Sequence, residues 1–233
     1  MIYEEIVDEV RPIVKNKGLT NLCVGVSYTV ALLNDGSSGI SHTVPEGEVP
    51  KAGDLLSMSV DAIISQDNKT PLSRAVVLSI LSSYADHSFV RGDPIDLLEG
   101  GKLCLFGYSP VVDDKKFDSV VVYDFFNPQP QVKGKTSVKP YRSFGKERCT
   151  HAVIYGSALV NGEIDNILAN IEADNLVLSG VSSVYAPSTL KRHGFSIVGK
   201  VVPVERNKAL RVACEGGNAA SMSKYVTKVF KRL

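Results

Sequence analysis

Five apolar runs, KLCLFGY, SVVVYDF, THAVIYG, DNLVLSG and FSIVGKVV, punctuate the second half of the chain, and segments of helical spacing separate several of them. In NGEIDNILANIEA, Ile164, Ile167, Leu168 and Ile171 fall on one face, and APSTLKRHG reads as a short helix closed by Gly194. Strands this continuously apolar have to be covered on both faces, and the intervening helices supply the cover. Residues 96–233 therefore read as an α/β domain on a parallel sheet, with its boundary near RGDPIDLLEGG. The closing stretch SMSKYVTKVFKRL puts Met222, Tyr225, Val226, Val229, Phe230 and Leu233 on one stripe, with basic residues toward its end, and predicts a last helix. The polar, proline-containing NPQPQVKGKTSVKPYRSFGKER reads as a surface excursion or lid.

Residues 1–95 follow a different pattern. Ile2, Ile6, Val7, Val10, Ile13 and Val14 recur at helical spacing, with Pro12 as a kink. NLCVGVSYTVALL and SGISHTVP are β-rich runs joined by NDGSSG, whose Asp-Gly is hairpin turn chemistry. A short helical segment near AGDLLSMSV and a longer one at PLSRAVVLSILSSYAD, with Pro71 in its first turn, complete an α+β half.

Charge and apolar run length narrow the function classes. The net charge of +1, with no long basic run, argues against a nucleic-acid groove or an anionic membrane surface. No apolar stretch approaches the roughly 20 residues that span a bilayer, and the acidic, amphipathic MIYEEIVDEV is unlike a secretory signal. A cytoplasmic protein is expected. The cysteines, Cys23, Cys104, Cys149 and Cys214, include no C-x-x-C pair, and Cys104 reads as a small core residue. Cys149-Thr150-His151 offers two metal ligands, but structural zinc sites use paired ligands at short spacing, so no metal residue is assigned.

In open parallel sheets ligands collect beyond the carboxyl ends of the strands. The residues there are Gly107, Tyr108 and Ser109 after the first strand, Asp124 ending the second, Gly156 and Ser157 after the third, and Gly180, Val181, Ser182 and Ser183 after the fourth. A carboxylate ending the second strand can accept two hydrogen bonds from a diol, while Gly and Ser let backbone N–H groups and hydroxyls approach a ligand closely. Singly, each is also ordinary loop composition; four such loops on one sheet edge mark a site. The spaced glycines of a dinucleotide cradle are missing from Gly107-Tyr108-Ser109-Pro110, which argues against a standard pyrophosphate site. Glu215-Gly216-Gly217 precedes the predicted last helix, whose amino end would offer N–H groups to an anion; the bland reading is a glycine-rich lead-in. In the hairpin, alternation puts Val24, Val26 and Tyr28 on one face and Ser27 and Thr29 on the other. His42, between Ser41 and Thr43, is of a residue type suited to proton transfer near neutral pH, though a lone strand histidine is more often structural. Arg74 is either an anion clamp or a partner for an acidic neighbour.

The motifs GVSYT, SHTV, PLSRA, LFGYSPVV, VVYDFFNP, YGSALVNGEIDNIL, VLSGVSS and CEGG, in this order, resemble one family of uncharacterised proteins, the "putative heavy-metal chelation" family. The resemblance spans nearly the whole chain. It implies an enolase N-terminal-like domain over 1–95 and a Rossmann-like domain over 96–233, with a site in the cleft between them. It also implies a part in condensation or hydrolysis steps that make flavin-, pterin- or siderophore-like metal-binding molecules. Matching positions are Ser27, Tyr28, His42, Thr43, Arg74, Gly107, Asp124, Gly156, Asn161, Ser182, Glu215, Gly216 and Gly217. This chain departs from the family pattern at Tyr155-Gly156-Ser157, where Thr-Gly-Thr is common, and at Gly180-Val181-Ser182-Ser183, where Gly-Pro-Ser-Thr is common. Ser82 stands where asparagine is frequent.

Together these readings make His42, Glu215 and Arg74 the expected catalytic groups. Ser27, Tyr28, Thr43, Gly107, Tyr108, Ser109, Asp124, Gly156, Ser157, Asn161, Ser182, Ser183, Gly216 and Gly217 are the expected ligand contacts. The expected partner is a small nucleotide-, pterin- or chelate-like molecule; no cofactor is assigned, and monomer and homo-oligomer stay open. Two alternatives stand beside an enzyme of condensation or hydrolysis: a non-catalytic metal-chelate carrier, and a methyltransferase-like protein using S-adenosylmethionine.

Overall fold

The computed structural model describes residues 1–107, 112–126 and 129–233. It opens with helix α1 (Ile2–Val14), which carries Glu4 and Glu5 in its first turn and Arg11 in its last, charges that complement the helix dipole. Its Ile2, Ile6, Val10 and Val14 are fully buried, and Pro12 lies inside the helix. A three-stranded antiparallel sheet follows, built from β1 (Leu19–Val24), β2 (Tyr28–Leu33) and β3 (Ser38–His42) in that order. The run expected to form one strand bends at Gly25 instead, whose N–H donates to Tyr28 O at 2.9 Å. The shared face expected for Val24, Val26 and Tyr28 is therefore broken: Val26 is exposed at the bend while Tyr28 is buried. A single 3-10 turn (Leu55–Ser57) and α2 (Val60–Ile64) lead to α3 (Pro71–Leu81). A capping box between Thr70 and Ser73 starts α3, with Pro71 in its first turn.

The rest of the chain contributes β4 (Val90–Arg91), β5 (Lys102–Phe106), β6 (Ser119–Asp124), β7 (Gln131–Lys133), β8 (Thr136–Pro140) and β9 (Glu147–Tyr155). Then come α4 (Ser157–Asn161), α5 (Ile164–Asn170), β10 (Ile171–Ser179), α6 (Pro187–Arg192), β11 (Phe195–Pro203), α7 (Arg206–Cys214), α8 (Ala219–Met222) and β12 (Val226–Arg232). The strands form one nine-stranded sheet in the order β4-β12-β11-β10-β9-β5-β6-β8-β7. Its six central members, from β11 to β8, are mutually parallel, and β4, β12 and β7 are antiparallel to their neighbours. From β5 the chain builds outward first through β6 and β8, then returns to build through β9, β10 and β11 on the other side.

Four expectations are corrected. The closing stripe is not a helix: Val226–Arg232 is β12, paired antiparallel with β11 from Pro203↔Val226 to Ile197↔Arg232. The expected excursion or lid is in part a sheet edge: its middle forms the β7–β8 hairpin, β8 pairs with β6, and β7 stays exposed at the surface. The Glu215-Gly216-Gly217 stretch ends one helix, and the helix that follows it, α8, is a four-residue turn whose amino end Asn218 caps. Glu215 caps the carboxyl end of α7, and Gly216 follows at φ 75°, the left-handed residue that commonly ends a helix. The α-helical cover is also uneven: among the described residues, α-helices join β9 to β10, β10 to β11 and β11 to β12, but not β5 to β6 or β6 to β8.

One face of the large sheet, with Phe106, Tyr123, Ile154 and Leu178, shares a continuous core with Ile2, Ile6, Leu78 and Leu81 of the first half. The opposite face buries Leu105, Val122, Val153 and Val177 under Ile95, Leu98 and Phe117. Disulfides Cys23–Cys214 and Cys104–Cys149 tie β1 to the end of α7 and β5 to β9. No helix among the described residues is long and apolar enough to cross a membrane.

Candidate functional site

The chain's outward growth reverses between β5 and β9, and the strand ends there open into a cavity of about 330 Å³. Gly107, Asp124, Tyr155, Gly156, Ser157 and Gly180 line it from the large sheet, and Tyr28 and His42 line it from the small one. Two left-handed glycines shape its floor. Gly107 (φ 111°) and Gly180 (φ 103°) both approach the Tyr155 ring so closely that a Cβ would sit 3.0 Å from Tyr155 Cδ2 and 3.3 Å from Tyr155 Cδ1. Gly156 passes against the backbone of Ser182 and Ser183, where a Cβ would come within 2.5 Å. These glycines let three strand ends converge around one aromatic ring. Tyr155 is a cleft residue that the small residues after the strand do not announce, since a tyrosine ending an apolar run reads equally as core.

His42 reaches the cleft at the end of β3. Its Nδ1 donates to Ser27 O at 2.8 Å; a carbonyl can only accept, so Nδ1 carries a hydrogen and Nε2 is the nitrogen that can gain or lose a proton. Nε2 has no partner among the described residues. The His42 backbone N–H donates to Ser182 Oγ at 2.8 Å, and Ser41 Oγ donates to the same oxygen at 3.1 Å. Ser182 is fully buried, so the loop after β10 holds β3 in place. Thr43 meets Thr29 hydroxyl to hydroxyl at 2.9 Å, and its N–H donates to Ser27 O at 3.0 Å. Ser27, Thr43 and Ser182 thus serve the histidine from behind. The Tyr28 ring lies 5.7 Å from the imidazole, and burial raises its hydroxyl pKa.

Asp124 ends β6, 8% exposed. Its Oδ1 accepts the Phe126 N–H at 2.9 Å, fixing the carboxylate across its own turn, while Oδ2 has no partner among the described residues. Beyond it lies a second lobe of about 460 Å³, lined by Asp124, Phe125, Phe126, Pro140, Tyr141, Arg142 and Glu163. The two lobes share Asp124, Phe125 and Phe126.

Other expected residues lie elsewhere. Arg74 sits with its guanidinium 5.1 Å from the Tyr3 ring centre, its Nε buried without a partner among the described residues. Asn161 ends α4 and accepts the Glu163 N–H at 3.1 Å. Glu215, Gly216 and Gly217 surround the end of α7, where Gly217 packs against Val212. Ser183 is fully buried with its hydroxyl unpartnered among the described residues. Tyr108 and Ser109 lie outside the described residues.

Among the described residues, the donors do not fit a directly bound heavy metal. All four cysteines are in disulfides. In the C-x-H stretch, His151 has both nitrogens engaged, Nε2 with Glu99 O at 3.0 Å and Nδ1 with Asn175 Nδ2 at 3.2 Å. No group of three or more His, Cys, Asp or Glu gathers in a metal-holding arrangement among the described residues, and soft metals favour thiolate or clustered imidazole.

Over its full length the chain superposes on two crystal structures of proteins with unknown function. The one from Desulfitobacterium hafniense DCB-2 is 17% identical with a TM-score of 0.77, covering 100% of this chain and 98% of that one. The one from Pyrococcus horikoshii is 17% identical with a TM-score of 0.78, covering 100% of both chains. No curated protein matches the chain. Two family models, each described as "Putative heavy-metal chelation", match residues 7–85 and 93–232. The chain belongs to that family of uncharacterised proteins.

Proposed function

We propose that the chain is an enzyme of acid–base chemistry on a small, hydroxylated or heterocyclic metabolite bound across the two-lobed cleft. The observation that carries this reading is the pairing of a tautomer-fixed imidazole with a carboxylate at the strand reversal. The order β8-β6-β5-β9-β10-β11 is that of doubly wound nucleotide-binding sheets, whose ligands lie at such a reversal. This supports a Rossmann-like reading of the second half, and the helix-flanked antiparallel sheet is read as enolase N-terminal-like. Asp124 Oδ2 accepts from a ligand hydroxyl, leaving Oδ1 on its own backbone. His42 Nε2 takes a proton from the attacking hydroxyl or water, and the imidazolium, steadied by Ser27 O, returns it to the leaving group. Condensation and hydrolysis are the same step run in opposite directions, and both suit this arrangement. Heavy-metal chelation is then a property of the compound handled in the cleft and not of the chain's own side chains.

Mass spectrometry of small molecules retained after desalting from a cell extract tests the reading. Wild-type protein should retain a compound that Asp124→Asn loses, and His42→Gln should retain it without converting it. Equal retention by Asp124→Asn and wild type would overturn the assignment.

A further inference from the structure

The second lobe has its own chemistry, which the acid–base step does not use. Tyr141 donates its hydroxyl to Glu163 Oε2 at 2.9 Å and accepts from Asn166 Nδ2 at 2.9 Å. Burial, with Glu163 beside it, raises the Tyr141 hydroxyl's pKa, so it stays a neutral donor. Glu163 Oε1 is left without a partner among the described residues. Arg142 is exposed and makes no ion pair among the described residues. Phe126 is 68% exposed at the boundary between the lobes, so one face of its ring is open to a ligand. Phe125, by contrast, is packed on Tyr141 with ring centres 4.4 Å apart and forms the lobe's wall. A flat guanidinium and an uncovered ring offer faces to a planar group, and a carboxylate oxygen offers an edge that accepts N–H donors.

We infer that this lobe binds an amino-substituted nitrogen heterocycle, an inference that rests on the proposed binding of a hydroxylated ligand at Asp124. The ring lies against Phe126 and Arg142, its exocyclic amino group donates to Glu163 Oε1, and its hydroxylated side chain crosses Asp124 toward His42. The lobe thus sets which ligand is admitted, and the His42 lobe sets what happens to it.

Calorimetric titration with three probes tests the inference: adenosine, neopterin and purine riboside, which is adenosine without its amino group. Adenosine or neopterin should bind wild-type protein, the stronger of the two identifying a purine or a pteridine ring. Purine riboside should bind about tenfold more weakly than adenosine, the loss of one hydrogen bond to a charged acceptor. Glu163→Gln keeps an acceptor for Tyr141 but presents an amide that cannot serve both, and should cost a similar factor. Phe126→Ala and Arg142→Ala should each weaken binding through lost stacking without altering the preference for the amino group. Binding that Asp124→Asn abolishes but that Glu163→Gln, Phe126→Ala and the missing amino group leave unchanged would overturn the inference and leave the cleft reading intact. No binding of any probe to wild-type protein would overturn the inference while the retained-compound experiment still judges the cleft.

Discussion

The cleft and the interior behind it use similar residue types to opposite ends. At the cleft, His42 has one nitrogen bonded and Asp124 one oxygen bonded, and the second atom of each has no partner among the described residues. In the interior, His151 has both nitrogens engaged. Lys200, on β11 and 2% exposed, spends its ammonium on the Ser82 and Tyr84 carbonyls that follow α3, at 2.9 Å for Ser82 O, with the Phe89 ring 5.7 Å away. The difference is spare capacity. A polar group whose partners are complete contributes to stability and specificity of folding, whereas one left half-satisfied at an opening is available to a ligand.

The largest effect expected concerns Lys200. Burial pushes its ammonium down to about 7 from an ordinary 10.5, against the opposing pull of Asp86. Between those values the folded chain holds fewer protons than the unfolded chain, so this group makes stability rise with pH from about 7 to about 10.5. The slope is at most about 1.4 kcal/mol per pH unit. The stability difference between wild type and Lys200→Met, measured by urea denaturation across that range, should show this slope, and a flat difference would break the assignment. Next comes His151→Leu, which removes the partner of Glu99 O and of the half-buried Asn175 amide and should cost about 1–2 kcal/mol. Gly107→Ala should cost about 1–2 kcal/mol through its left-handed backbone and the displaced Tyr155 ring. His42→Gln should change stability by no more than about 0.5 kcal/mol, since its ring is only partly buried, while removing the proposed proton acceptor. If His42→Gln proved as destabilising as His151→Leu, the distinction between the two regions would fail.

Much of the frame is legible in the chain because burial on both faces leaves little choice of residue. The runs of β5, β6, β9, β10 and β11 are mainly apolar toward their carboxyl halves or middles for that reason, and strand ends then locate Gly107, Asp124 and Gly156. Legibility stops where periodicities overlap. In KYVTKVFKR the apolar residues satisfy a helical stripe, yet the segment is β-branched and aromatic, and pairing with β11 decides for a strand. Gly216 points in the other direction: glycine after a helix marks its end, and RNKALRVAC, with only Leu210 and Val212 as large apolar residues, carries too thin a stripe to announce the helix being ended. Side-chain direction was also invisible. Arg74 and His42 look equally eligible as letters, but only the fold turns one toward Tyr3 and the other toward the cleft.

The hydroxyl of Ser182 accepts the main-chain N–H of His42 across 140 positions of sequence. The two matched segments, 7–85 and 93–232, are thus not interchangeable modules even though each is recognisable alone. A chimera that joined this first half to a relative's second half would inherit an imidazole aligned to a peg it no longer has. Exchange of halves among relatives should succeed only where residue 182 arrives with a hydroxyl at the same height, which makes that one serine a compatibility gauge for the whole molecule.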